Sequence, residues 1–265
     1  MKVIFETDDE QLKVLLRSTF FKELVDILNK QSQPTLRQLK TMLGEKIDKR
    51  LGQLIEHGIV QRENHRYSLG FPVLEFDERV ISVWIERILS EIDEASQVVL
   101  LAKLVKRDEL IYGIPSDQTF SYTHVVTNGE LTILSLSQEE WVLTLPAYFN
   151  YLRTDESQQV FSEVQQLIGD VNIQYYLDQI QVILEKIDNG RKLQPSIFLE
   201  SLKKFGIMDD SFVLLSPVEN KNWAPHWLEA FMQLSGGVQR AILGGVLQQL
   251  GKTSLTLIQF EEQLF

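Results

Sequence analysis

The sequence contains no cysteine. That excludes disulfides, thiolate metal sites and thiol nucleophiles, and it fits a reducing compartment. Histidine is scarce as well, with four residues, His57, His65, His124 and His226. No two of them have the spacing of a metal pair on one helical turn, so neither a metal nor a cofactor is expected. No apolar run approaches the roughly 20 residues that span a bilayer. The first residues, Met1-Lys2-Val3-Ile4-Phe5 with acids close behind, do not read as a signal peptide. A soluble, cytoplasmic protein with no membrane partner is the expectation.

Basic charge is also in short supply: 26 Lys and Arg face 37 Asp and Glu, net −11. An acidic chain repels phosphates, but the imbalance is uneven. Residues 11–70 hold eleven basic and six acidic residues, net +5, whereas residues 71–265 hold fourteen and twenty-seven, net −13. With 44% apolar and 24% charged residues over 265 positions, a packed protein of one large or two ordinary domains is expected.

The pattern along the chain is mainly helical. Leu12, Leu15, Leu16, Phe20, Leu24, Ile27 and Leu28 recur at three- and four-residue steps, which predicts one helix over 10–30. Gln31-Ser32-Gln33-Pro34 breaks it, and Thr35 is placed to cap a second helix that buries Leu36, Leu39 and Leu43 and stops at Gly44. A third helix is predicted from Glu45 to His57, with Ile47, Leu51, Leu54 and Ile55 inward and Gly58 as its left-handed stop. A strand over 59–63, a tight turn at Asn64-His65 and a returning strand over 66–69 follow. Helix–turn–helix followed by a β wing is the layout of a winged helix, and no other segment of the chain points to a partner as directly.

Gly70-Phe71-Pro72 marks a candidate boundary between a domain over 1–70 and an acidic body over 71–265. In the body a helix is expected over 77–94, with Val80, Ile81, Trp84, Ile85, Ile88, Leu89 and Ile92 on one face. Residues 96–106 are apolar enough for either helix or strand. Asn128-Gly129, between alternating segments 120–127 and 130–136, is a hairpin signal, and 141–145 is a candidate strand. From 146 to 265 the expectation is helical: segments near 147–153, 156–168, 172–188 and 196–205, an extended piece at 212–215, and 225–250 with a break or close contact at Gly236-Gly237. The fold class that results is α+β, mostly α.

A recognition helix enters the major groove with its N-terminal residues at the base edges. Lys46, Lys49, Arg50 and Gln53 lie off the apolar face of the third helix; Arg and Lys suit guanine, and Gln suits adenine. Arg62, His65 and Arg66 on the wing suit phosphates or the minor groove. Arg37 and Lys40 on the second helix suit the DNA backbone. Glu45, Asp48 and Glu56 on the same stretch oppose that pull.

Other motifs have simpler readings. Gly251-Lys252-Thr253-Ser254 looks like the end of a phosphate loop, but the glycine that loop needs five residues before Gly251 is replaced by Val246, so Gly251 is read as a helix stop. Gly236-Gly237 is read as a kink rather than an anion site. His124 in the hairpin is a possible base without a nucleophile tied to it. The cluster Trp223-Ala-Pro-His-Trp227 is read as a helix start with Pro225 near its first turn. The acid pairs Asp8-Asp9, Glu139-Glu140, Asp209-Asp210 and Glu261-Glu262 are adjacent in sequence, point in different directions and read as solvated charge. No catalytic residue is expected.

Phe20-Phe21-Lys-Glu-Leu-Val-Asp-Ile-Leu, Thr35-Leu-Arg-Gln-Leu-Lys, Arg66-Tyr67-Ser-Leu and Phe71-Pro72-Val-Leu-Glu resemble a family of uncharacterised streptococcal-type proteins that carry a domain of unknown function. The resemblance covers about the first 75 residues and implies a Gram-positive bacterial, cytoplasmic protein. Leu54-Ile-Glu-His-Gly58-Ile-Val is similar to the winged-helix module of bacterial transcription regulators. That implies a DNA-binding regulator or DNA-associated protein, with a homodimer or another protein as further partner. The rival is a non-enzymatic adaptor whose winged helix docks proteins.

Overall fold

The computed structural model describes residues 1–5, 7, 9–30, 33–105, 111–154, 158–215 and 224–260, without the side chains of Glu10 and Ser96. Asp8, Gln31, Ser32, Trp223, Glu261 and Glu262, all singled out above, lie outside the described residues. Among the described residues helix outweighs strand, about 49% against 17%, which makes the fold α+β with helix dominant. No helix among the described residues is long and apolar enough to cross a membrane. The chain divides into two compact units, one of residues 1–77 and 107–118, the other of 78–106 and 119–265.

The first unit contains β1 (Lys2–Phe5), α1 (Glu10–Arg17), α2 (Thr19–Lys30), α3 (Leu36–Leu43), α4 (Asp48–Glu56), β2 (Val60–Glu63), β3 (Arg66–Leu69) and β4 (Ile111–Ile114). The single helix expected over 10–30 is two. Ser18 is extended, with φ −65° and ψ 150°, and its hydroxyl accepts the Phe21 N–H at 3.2 Å. Serine hydroxyls compete for backbone groups in this way, which favours caps over helix interiors. β4 returns to pair antiparallel with β1, Lys2 opposite Ile114 and Phe5 opposite Ile111. The unit is thus discontinuous in sequence, which periodicity has no means of showing. Leu24, Leu39, Ile47 and Leu54 are fully buried at its centre, packed with Phe20, Phe21 and Tyr67. Each such side chain contributes about 1.5–3 kcal/mol by leaving water.

The second unit contains α5 (Glu78–Glu91), α6 (Ser96–Lys103), β5 (Tyr122–Thr127), β6 (Leu131–Ser137), α7 (Leu145–Tyr151), α8 (Ser162–Ile168), α9 (Ile173–Asp188), α10 (Ile197–Lys204), α11 (Leu228–Met232), α12 (Gly236–Gln249) and β7 (Ser254–Phe260). Its sheet is antiparallel in the order β5-β6-β7. All seven residues of β6 are buried. Leu131 and Ile133 join Tyr148, Tyr176, Leu177 and Ile180 of the α7–α9 layer, while Leu134 and Leu136 point to the other face by strand alternation. Helix α6 packs on β6 and β7.

Several expectations change here. Residues 96–103 are helix, not strand. The strand considered at 141–145 does not form: Thr144 caps α7 through the Ala147 N–H, and Pro146 sits in the first turn. The sheet's third strand is β7, which corrects the helical expectation for 146–265 at residues 254–260. In the hairpin, the pair Thr127–Thr132 and the Asn128 N–H to Leu131 O bond put Gly129-Glu130 at the corner rather than Asn128-Gly129. Val80 is exposed, one position off the buried stripe of Ile81, Trp84, Ile85 and Ile88. The chain does break before Gly236, where Ser235 caps α12. The close glycine contact lies further on, where a Cβ on Gly244 would meet the Phe120 backbone at 2.7 Å.

Two consequences are measurable. A Cβ on Gly70 would lie 1.9 Å from the Gly58 carbonyl oxygen. Gly70→Ala is therefore expected to destabilise the first unit by about 1–3 kcal/mol or more in urea melts; an unchanged midpoint would overturn the contact. Burial raises the Tyr148 phenol from 10.0 to about 12 and raises Tyr176 too, against the opposing effect of its hydrogen bond with Ser201. The folded state then keeps protons that the unfolded chain releases above pH 10.0, so stability falls as pH rises from there toward the folded value. Absorbance at the tyrosinate band should show Tyr148 and Tyr176 ionising above pH 10.0.

Candidate nucleic-acid interface

Local chemistry fixes each part of the corner formed by α3, α4 and the hairpin. Thr35 and Gln38 form a capping box: the Thr35 N–H donates to Gln38 Oε1 at 2.8 Å, and Thr35 Oγ1 accepts the Gln38 N–H at 3.4 Å. Thr35 also bridges to Arg66, and the Tyr67 N–H donates to the Pro34 carbonyl at 3.0 Å. Gly44 ends α3 at φ 95°. Helix α4 ends in a Schellman motif with Gly58 at φ 70°, its N–H on Ile55 O and the Ile59 N–H on Leu54 O. Glu63 lies opposite Arg66, so Asn64 and His65 make a two-residue turn, at φ 49° and 60°. Two left-handed residues are what a type I′ hairpin requires.

The nine candidate residues fall into two groups. Arg37 on α3 and Lys49 on the first turn of α4 are exposed, and so is Lys46, which lies in the loop before α4 rather than on it. These three have no ion pair or side-chain hydrogen bond among the described residues. The other six are engaged or partly covered. Lys40 Nζ donates to Asp48 Oδ2 at 2.8 Å. That hydrogen bond, against some desolvation, holds the ammonium above its ordinary 10.5. The Arg50 guanidinium lies over the Phe20 ring at 4.1 Å from its centroid. Gln53 is half-buried. Arg62 Nη2 donates to His65 Nδ1 at 3.2 Å and lies 5.7 Å from the Tyr67 ring centroid. Arg66 Nη1 donates to the Gln33 carbonyl at 3.0 Å.

Outside this corner the candidates are structural. His124 is buried and stacked on Trp141. Its Nε2 lies 2.7 Å from the Glu140 carbonyl, so it donates there, which leaves Nδ1 to accept from Asn150 Nδ2 at 3.2 Å. Both ring nitrogens are used. Gly251 has φ 64°, with its N–H on Gln248 O and the Lys252 N–H on Leu247 O, a helix-ending motif of the same kind as at Gly58. His226 lies 3.5 Å from Glu91. Periodicity missed the partners: nothing in residue spacing marks Phe20 as the platform for Arg50 or Asp48 as the acceptor for Lys40, because both pairings are made by the crossing of helices.

Residues 2–107 match a family described as a domain of unknown function (DUF1803). The match spans β1 to α6 and stops short of β4. No curated protein and no solved structure matches the chain.

Arg50 and Lys49 separate the two groups by experiment. Arg50→Met removes the ring contact and is expected to cost about 0.5–1 kcal/mol. Lys49→Met, at an exposed position, should stay within about 0.5 kcal/mol. Equal effects in urea unfolding would contradict the placement.

Proposed function

We propose that residues 19–69 form a winged-helix module that binds duplex DNA. The observation that carries the reading is the tie between Thr35 and Arg66, with the Pro34 to Tyr67 hydrogen bond beside it. It fastens the start of α3 to the hairpin, while the Schellman turn at Gly58 fastens α4 to the same hairpin. Two helices and a wing held as one body are what simultaneous docking to a groove and its flanking phosphates requires. Lys46 just before α4, Lys49 on its first turn, Arg37 on α3 and Arg62 at the wing supply the positive charge, within residues 11–70, which carry net +5.

Fluorescence anisotropy with mixed genomic duplexes tests this. Binding should appear at low salt and weaken steeply as salt rises. The double reversal Lys46→Glu, Lys49→Glu should reduce affinity by about tenfold or more, with the circular dichroism spectrum unchanged. Absence of binding at low salt would sink the proposal.

A second reading, a protein-docking adaptor, is favoured by the acids of the corner. Asp48 neutralises Lys40, Glu45 adds to the same field, and Met42 stands 41% exposed on the last turn of α3. It predicts a protein bound by the wild-type chain and lost from the same double variant.

A further inference from the structure

We infer that this interface holds duplex DNA by its phosphates and does not read base identity, an inference that rests on the winged-helix reading above. Direct readout in the major groove needs planar, two-pronged groups: Arg for guanine, Asn or Gln for adenine. Helix α4 has one arginine, Arg50, and its guanidinium is laid on the Phe20 ring at 4.1 Å. It has one carboxamide, Gln53, and that side chain is half-buried. Between them on the outward side stands Gly52, exposed and with open space where a side chain would begin. The middle of the helix therefore offers a groove no reading group.

What the corner does present suits a charged backbone. Lys46 and Lys49 are flexible point charges, a form that fits a phosphate and discriminates poorly between bases. Arg37 stands on the neighbouring helix, and Arg62 stands at the wing. Of the acids, Asp48 accepts from Lys40, Glu56 is at the last turn of α4, and Glu45 stands exposed beside Lys46. Gly52 also lets the helix approach the duplex closely, because no Cβ stands between backbone and groove wall. The expected ligand is double-stranded DNA of any sequence, as for proteins that coat or bridge DNA rather than find an operator.

Anisotropy with two duplexes of equal length, one A·T-rich and one G·C-rich, and a selection from a random duplex pool provide the test. The two affinities should agree within about threefold, far inside the 10³ or more expected of specific recognition. The log–log salt slope should lie between about −3 and −4, from four cations at roughly −0.9 each. Lys49→Ala should reduce the slope by about one unit, and Arg50→Met should leave it unchanged. A selected sequence bound more than about a hundredfold tighter than the pool would overturn the inference and leave the DNA reading standing. So would a preference between the two duplexes that disappears in Arg50→Met. Failure to bind any duplex at low salt would remove the DNA reading itself.

Discussion

The first unit depends on a backbone contact between two glycines. The Gly58 carbonyl occupies the place where a side chain on residue 70 would begin, and the Gly70 N–H donates to the Ile59 carbonyl at 2.9 Å. One end of the contact is the left-handed stop of α4, the other the exit of the hairpin. The direction in which the hairpin leaves the helix is thus set by main chain, not by side chains that can swing. Val60 and Tyr67 are thereby driven into the core, and the turn at Asn64-His65 is carried outward. Charges presented from such a body lose little freedom on contact with a partner, which lowers the cost of association.

The second unit answers a different constraint. A strand buried on both faces carries any polar group into the interior, where an unmet donor or acceptor costs about 1–3 kcal/mol. β6 has two such serines. Ser135 accepts from the Thr144 hydroxyl at 2.9 Å, and Ser137 donates to the Glu139 carbonyl at 2.7 Å. The same logic governs His124, the Tyr176–Ser201 pair at 2.6 Å and Gln239, which donates to the Phe231 carbonyl at 2.8 Å. Residue types that suggest chemistry in the sequence serve here to satisfy the interior.

Much of the local structure was legible in the sequence. The capping residue Thr35, the stops at Gly44, Gly58 and Gly251 and the inward stripe of α4 follow from short-range rules, and each is found in place. The pairing of β1 with β4 and the position of β7 were not legible, because strand partners far apart in sequence leave no periodic mark. The split at Ser18 was hidden by an apolar stripe that runs unbroken through both helices. At the corner, residue types and spacing located the positive charges but not their state. Lys40 and Lys49 look alike in the sequence. Their difference comes from Asp48, which the turn at Gly44–Ile47 swings back against α3.

The position of β7 also bears on synthesis. β6 carries β5 along one edge almost as soon as it is made, but its other edge waits until the whole helical layer has been translated and Gly251 has turned the chain back. A growing polypeptide therefore displays an apolar strand with unpaired amides for most of the time the second unit takes to emerge. Such an edge recruits foreign strands. Nascent chains stalled before residue 254 are the form in which this protein is most exposed to misassembly, and most in need of a chaperone's cover.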